Sequence, residues 1–447
     1  MNVKETVEAE IVSNGMDGEG IARVDGKVLF VPYTLKGERV LVAVKSVKSK
    51  YAVGKAAKIL QPSPYRVTPR CLHYFNCGGC DTGHITSQYR KEILLSELKN
   101  NLRKIAGIDY SDIEFVECDE DKAFRNKISM PFATVGGKTV LGLYRSNSHT
   151  VEPVDCAMQH DSARAVAETV CGFANERGLS VYNETSGSGI LRHLVLRAVG
   201  GGVSAMLVVN TNKAAEWEKQ LASRLPEYCD FFICPNTRRN NVIVGDTVRL
   251  VKGKAKLPVN VLGVKAELSP LSFFQVNDHM RDKLYTEAIG AVGSETLIDL
   301  YSGIGITSNL AAAKCKKIIA VECVPQAVKD ADATAELNCN ADKIENICGD
   351  TERVLGGIDA DGENTDVLVD PPRKGCGAAV MNAIADIKPQ RLIYISCNHA
   401  TMCRDIKLFR DRAQGYEISV CKAFDMFPNT HHVETLCVLE RKGGIKE

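Results

Sequence analysis

Long apolar runs are missing from these 447 residues. No stretch approaches the ~18 consecutive apolar residues of a membrane-spanning helix, so no membrane span is expected. The opening "MNVKETVEAEIVSNG" carries no basic-then-apolar leader, which makes the cytoplasm the expected compartment. An excess of charge is missing too: the formal balance is +1 and by itself says nothing about partners. Repeats and low-complexity tracts are absent, which sets aside solenoids and biased tails.

What remains is an ordinary globular mixture, 45% hydrophobic and 25% charged, long enough for two to four domains. Cysteine is the exception, at 17 residues. In a reducing compartment a disulfide framework is not expected, so clustered cysteines point to metal ligation and isolated ones to core packing or catalysis. Charge is also uneven. Lys36, Arg39, Lys45, Lys48, Lys50, Lys55 and Lys58 face a single acid, Glu38, within one stretch. Such a stripe binds phosphates or is simply a solvated face.

Up to about Leu60 the chain alternates apolar and polar residues between glycine turns, the pattern of five short strands in a small oligonucleotide-binding-type barrel. "QPSPYRVTPR" reads as a linker. A cysteine cluster follows, then "SQYRKEILLSELKNNLRKIAG", apolar at helical spacing. From Cys118 to Val264 strand and helix are mixed. From about Ser269, "TLIDL", "KIIAVE", "ENICGD", "DVLVD" and "RLIYIS" alternate with helices, which predicts a doubly wound parallel sheet. "EISVCKAF" and "HVETLCVLE" have no helix between them and predict an antiparallel hairpin. The expected units are a barrel over 1–61, a central α+β domain over 62–265, and an α/β domain over 266–447.

"LIDLYSGIGITS" sets Gly303 and Gly305 after a strand and before a helix, where backbone can approach a ligand closely. Glu322 ends the next strand, placed to accept from ribose hydroxyls. Asp350 ends a third strand, where an acid can meet an adenine amino group, and Asp370 ends a fourth. Ligands of open α/β sheets bind at these strand ends. The third glycine of the dinucleotide fingerprint is absent, which favours S-adenosylmethionine over NAD. Strand and helix capping is the competing role for each acid.

Cys397 ends the fifth strand in "YISCNHATMCRD", beside Asp370. A thiol there is a buried small hydrophobe or a nucleophile. Methylation of a pyrimidine at C5 needs such a nucleophile. Thiolate addition to C6 makes C5 reactive, and a base then removes the C5 proton so that the thiol can leave. Glu434 begins the last strand and reaches the same edge.

"SCN" with Cys397, "DPPRKG" with Asp370, "SFFQVN" with Gln275 and "FPNTHHVETL" with Glu434 together resemble RNA uracil-5-methyltransferases, most closely the 23S ribosomal RNA type with a TRAM barrel and an iron–sulfur domain. The resemblance runs through almost the whole chain. It implies Cys397 as nucleophile and Glu434 as base, with Gln275, Tyr301, Glu322 and Asp370 lining the S-adenosylmethionine site and Asp350 beside them. One departure lies in "YSGIGITS": the family often has Cys where Ser302 stands and a polar residue where Ile306 stands, so no cofactor contact is carried to Ile306.

"CLHYFNCGGC" places Cys71, Cys77 and Cys80 on one tight loop with C-x5-C-x2-C spacing. Three thiolates there need a fourth ligand, and the resemblance supplies Cys156 in "VEPVDCAMQH". Four thiolates suit a 4Fe-4S cluster or a tetrahedral zinc; the resemblance implies the cluster. Arg125, Lys127, Arg145, Arg192 and Arg197 are candidate phosphate contacts or ordinary structural residues.

Two other functions compete. One is an RNA-binding or sulfur-transfer protein with a barrel and a cluster, but the spacing of radical enzymes, C-x3-C-x2-C, differs. The other is an amino-group methyltransferase, since "DPPR" resembles NPPY, but that chemistry leaves Cys397 and Glu434 without a role. The expected partner is therefore RNA, 23S ribosomal RNA in particular, and the expected state is a monomer.

Overall fold

The computed structural model describes residues 1–15, 18–120 and 122–442. Strands β1 (Thr6–Asn14), β2 (Gly20–Val24), β3 (Lys27–Val31), β4 (Arg39–Val47) and β5 (Tyr51–Gln61) close into a barrel in the order β1-β2-β3-β5-β4. The period-two alternation fills its interior with Ala9, Ile11, Ala22, Leu29, Val31, Val40 and Val42. The seven basic residues of the stripe are all exposed. Their one sequence neighbour of opposite sign, Glu38, is fully buried and bonded to Arg66 at 2.8 Å, so it does not neutralise the outer face. The proline-rich "linker" is thereby fixed: Arg66 is tied to the barrel, and Tyr65 stacks on Tyr89 at 4.2 Å.

Helix α1 (Ser87–Asn101) starts at Thr86, whose hydroxyl accepts from the Tyr89 N–H, and runs on through a wider turn at Leu102–Ala106. Strand β6 (Glu114–Val116) follows. The central sheet is built from β7 (Lys127–Val135), β8 (Lys138–Tyr144), β9 (Val151–Pro153), β10 (Leu191–Val199), β11 (Gly202–Val209), β12 (Cys229–Pro235) and β13 (Arg249–Lys252). It runs β13-β12-β11-β10-β7-β8-β9. Helices α2 (Asp161–Glu176) and α3 (Glu216–Arg224) bury Val166, Val170, Phe173 and Leu221 against it. This is the α+β character expected of the middle of the chain.

A hairpin of β14 (Leu257–Val261) and β15 (Val264–Leu268) leads into the last unit. There α4 (Asp278–Gly290), β16 (Thr296–Leu300), α5 (Ile306–Ala311), β17 (Lys317–Glu322), α6 (Pro325–Leu337), β18 (Ile344–Cys348) and α7 (Thr351–Val354) come first. Then follow β19 (Thr365–Val369), α8 (Ala378–Ile387), β20 (Arg391–Ser396), α9 (His399–Arg412), β21 (Tyr416–Phe424) and β22 (Glu434–Arg441). The sheet order is β18-β17-β16-β19-β20-β22-β21-β6. Strands β16 to β20 are parallel, and β22 lies antiparallel to both β20 and β21, the hairpin that the missing helix predicts.

Two segments cross the expected boundaries. Leu94 and Leu98 of α1 and Ile113 pack in one core with Ile298, Val367 and Met402, and β6 adds to the sheet edge beside β21. Residues 87–116 thus pack with the C-terminal unit rather than with the central one. The β14–β15 hairpin also joins the C-terminal core, through Val259, Val261, Ala266 and Leu268, so residue 265 falls inside a packed element. Among the described residues no helix is long and apolar enough to cross a membrane.

Candidate active site

The strand order reverses between β16 and β19, because β17 and β18 lie to one side and β20 to the other. That reversal opens a crevice at the carboxyl ends of the strands. Tyr301 leaves β16 with φ 63°, and Gly303 and Gly305 follow at 58° and 78°. These left-handed conformations turn the chain sharply into α5, and at Gly305 a side chain would also crowd Ala331 at 3.2 Å. Glu322 at the end of β17 supports the loop: its carboxylate accepts from the Gly303 N–H at 3.1 Å and the Val324 N–H at 2.8 Å.

Phe273, Tyr285, Asp299, Tyr301, Gly303 and Asp370 line the cleft. Asp370 follows β19, is sealed from water on most sides and receives the Gln275 amide at 3.4 Å. Burial, then the nearby Asp299 charge, push its carboxyl up to about 7, against that hydrogen bond. Asp350 stands apart from this group. The strand before it ends at Cys348, and Asp350 is the exposed cap of α7, accepting from the Glu352 N–H at 3.0 Å.

The pairing of β20 with β22 explains how Cys397 meets Glu434. Ser396 lies opposite Thr435, so the next residue on one strand falls opposite the previous residue on the other. An antiparallel strand begins at the edge where its parallel neighbours end. Asn398 then fixes the thiol's backbone: its side chain accepts from the Ala400 and Thr401 N–H groups at 3.1 and 3.2 Å and caps α9. That capping is why an Asn follows the Cys. Burial pushes the Cys397 thiol up to about 11, with the Glu434 charge next; the positive charge of the nearby Arg373 opposes both. Glu434 is 2% exposed, and burial followed by the Asp370 charge raises its carboxyl well above the ordinary range. A thiol, a guanidinium and two carboxyls with raised pKa values within electrostatic reach of one another at the strand ends are an arrangement for nucleophilic addition and proton transfer.

Two members of this site escape sequence reading. Asp299 lies inside β16, and the Thr307 and Ser308 hydroxyls donate to one of its oxygens at 2.7 and 2.6 Å. Among the described residues its other oxygen, Oδ1, is buried without a hydrogen-bond partner. Burial raises this carboxyl to about 6. The signal was its place just before the glycine loop. Arg373 was in plain view three residues after Asp370, in the same motif.

The cysteine loop is held against the central sheet, where Gly78 donates to the Tyr144 carbonyl at 2.9 Å. Cys71, Cys77, Cys80 and Cys156 share one neighbourhood. Burial raises Cys80 to about 12, and the other three thiols add to it, Cys156 most. Among the described residues no group of His, Cys, Asp or Glu already stands in a metal-binding arrangement. Of the basic candidates, Arg192 and Arg197 are buried. Arg192 donates to the Asn236 and Arg238 carbonyls, and Arg197 to those of Ser269 and Ser272. Their role is structural. Arg145 is ion-paired with Glu152 at 2.7 Å.

Comparison with known proteins agrees with this geometry. The sequence model of the tRNA (Uracil-5-)-methyltransferase family matches residues 252–442, and that of the TRAM domain matches residues 2–57. A protein of Caldanaerobacter subterraneus subsp. tengcongensis, described as an uncharacterized RNA methyltransferase, is 35% identical over 99% of both chains. A relative of the same description from Halalkalibacterium halodurans is 35% identical over 99% of this chain and 98% of its own. The crystal structure of Pyrococcus abyssi tRNA (uracil-54, C5)-methyltransferase in complex with S-adenosyl-L-homocysteine superposes with a TM-score of 0.78 at 25% identity, covering 97% of this chain and 100% of its own. A cleft with a thiol facing a carboxyl, on a chain alike from end to end, leads to one assignment: the protein belongs to the TRAM-containing RNA uracil-5-methyltransferases.

Proposed function

We propose that the protein transfers a methyl group from S-adenosylmethionine to C5 of a uridine in RNA, through a covalent bond between Cys397 and C6. The observation that carries this reading is the β20–β22 register, which ends with Ser396 opposite Thr435 and so brings Cys397 and Glu434 to one edge, where the charges of Glu434, Arg373 and Asp370 all act on the thiol. Gln275, Tyr301, Glu322 and Asp370 are the proposed cofactor contacts. Asp350, exposed at its helix cap, is proposed as an outer contact to the adenine. The unpartnered Oδ1 of Asp299 fits a cofactor that brings an ammonium group. When bound, S-adenosylmethionine supplies the electrophilic methyl group. The chain does the rest. Arg373 favours the thiolate, Cys397 adds to C6 of a uracil taken out of its stack, and Glu434 receives the C5 proton. The C6–S bond then breaks, its electrons return to sulfur, and the C5–C6 double bond is restored. The raised pKa of Glu434 makes its carboxylate a stronger base for that proton.

The proposed ligands of a 4Fe-4S cluster are Cys71, Cys77, Cys80 and Cys156; zinc would use the same set. The support is that Cys80 lies within electrostatic reach of the other three on a glycine loop. As substrate we propose 23S ribosomal RNA. A second reading, transfer RNA, has a specific observation behind it: the P. abyssi likeness covers 97% of this chain, so a barrel does not by itself separate the two classes.

The test uses both RNAs and two variants. Cys397→Ala gives no methylation and no covalent adduct. Glu434→Gln adds and methylates but stalls, trapping a protein–RNA adduct that survives denaturation. An active Cys397→Ala protein overturns the mechanism.

A further inference from the structure

Glu434 is held in an unusual way for a residue assigned to proton transfer. Among the described residues its carboxyl makes no hydrogen bond; burial, then the charges of Asp370 and Arg373, shift it. Its position therefore depends on its backbone, which is the first residue of β22 and the end of the loop 425–433. That loop is gripped from two sides by residues more than 300 positions away. On one side Arg90 of α1 donates to the Thr430 carbonyl at 2.8 Å, to the Asp425 carboxylate at 2.8 Å and to the Phe427 carbonyl at 3.3 Å. On the other side stands the cysteine loop itself. The Asp81 and Thr82 N–H groups, directly after Cys80, both donate to the Asn429 carbonyl, at 3.1 and 3.0 Å. The Asp81 carboxylate accepts from the His431 N–H at 2.8 Å and is paired with the His431 ring through Nδ1. Two residues, His432 and Val433, separate His431 from Glu434.

We propose that Asp81 is a positioning residue for the base: through Asp81 the cysteine loop sets the height of the segment that presents Glu434 to C5. The inference rests on the reading of Glu434 as the base. It gives the cysteine loop a part in catalysis without any electron transfer. A base misplaced by about 1 Å costs on the order of 10²-fold. Addition of Cys397 to C6 does not use Glu434 as acceptor of the C5 proton, so the loss falls on elimination. There the C5 proton passes to the carboxylate, the C6–S bond breaks and the thiolate leaves. Arg90 still holds the loop when Asp81 is removed, so the loop loosens without being released.

The experiment follows single turnovers of the full chain on uridine RNA with S-adenosylmethionine, quenched in denaturant. The covalent protein–RNA fraction and the released 5-methyluridine are measured separately for wild type, Asp81→Ala and Asp81→Asn. S-adenosylmethionine affinity and the unfolding midpoint report on the fold. The expected result is adduct formation within about threefold of wild type and elimination slowed ~10- to 100-fold in Asp81→Ala, so that adduct accumulates. Asp81→Asn, whose amide oxygen still accepts from the His431 N–H, recovers part of the elimination rate. If Asp81→Ala eliminates as fast as wild type, or loses addition and elimination in equal measure, the proposal is overturned. If Asp81→Ala does not fold, the same partition in Asp81→Asn decides. A wild-type protein that gives no adduct even with 5-fluorouridine RNA refutes instead the reading of the function, a result distinct from the failure of Asp81 alone.

Discussion

At the scale of residues, Asp370 shows how the cleft is tuned. Burial and then Asp299 raise its carboxyl to about 7, whereas in the unfolded chain it titrates as an ordinary carboxylate. Between those two values the folded chain holds a proton that the unfolded chain has lost. Stability therefore falls as pH rises through that window, and the cost is complete above about pH 7. Asp370→Asn removes this cost. Its Tm is expected to exceed that of wild type by about 2–4 °C at pH 8 and by less at pH 5, while methyl transfer drops. Calorimetry at the two pH values, with an equal Tm at both, would remove Asp370 as the source of strain. The places of Cys397, Asp370 and Glu434 at strand ends were legible in the sequence because strand tips follow from apolar runs and their ends. Arg192 and Arg197 were not placed, since a buried arginine serving carbonyls looks the same in sequence as one waiting for a phosphate. Asp350 fell in a run read as strand, yet the strand stops at Cys348 and the acid caps a helix turn.

Among the elements, the cysteine loop and its proline-rich approach carry most of what pattern could not convey. "QPSPYRVTPR" has the composition of a linker, but composition is blind to the buried pair that Arg66 makes with Glu38 on the barrel. The barrel, the C-terminal hairpin and the alternating strands were legible because each depends on local periodicity. The cysteine loop's tie to residues 429–431 was not, because two hydrogen-bond donors after Cys80 meet a carbonyl brought there by the whole fold. The loop's contents are testable directly. Protein isolated without oxygen is expected to be brown and to carry about four iron per chain. Cys77→Ser should lose the colour and lower the Tm. Metal analysis that finds one zinc and no iron would overturn the cluster while leaving the four ligands.

Across the molecule, the C-terminal sheet is not made by the C-terminal sequence alone. β6 completes its edge at Phe115 and Val116, and Leu94, Leu98 and Ile113 fill its core. No periodicity could have placed a three-residue strand in a sheet whose other members begin near residue 296. A fragment of residues 252–442 is expected to aggregate, because it bares the edge of β21 and the apolar surface under α1. A fragment beginning at residue 84 is expected to elute as a discrete species in size-exclusion chromatography; if the shorter piece behaves equally well, α1 and β6 are ornaments. The same arrangement bears on how the protein is born. Residues 87–116 leave the ribosome with their apolar face uncovered, and their partners on β21 and α9 are among the last to be translated. At ~5–20 residues per second that wait lasts on the order of tens of seconds. In that interval α1 is a nascent helix without a home, and it becomes a natural client for a chaperone at the exit tunnel.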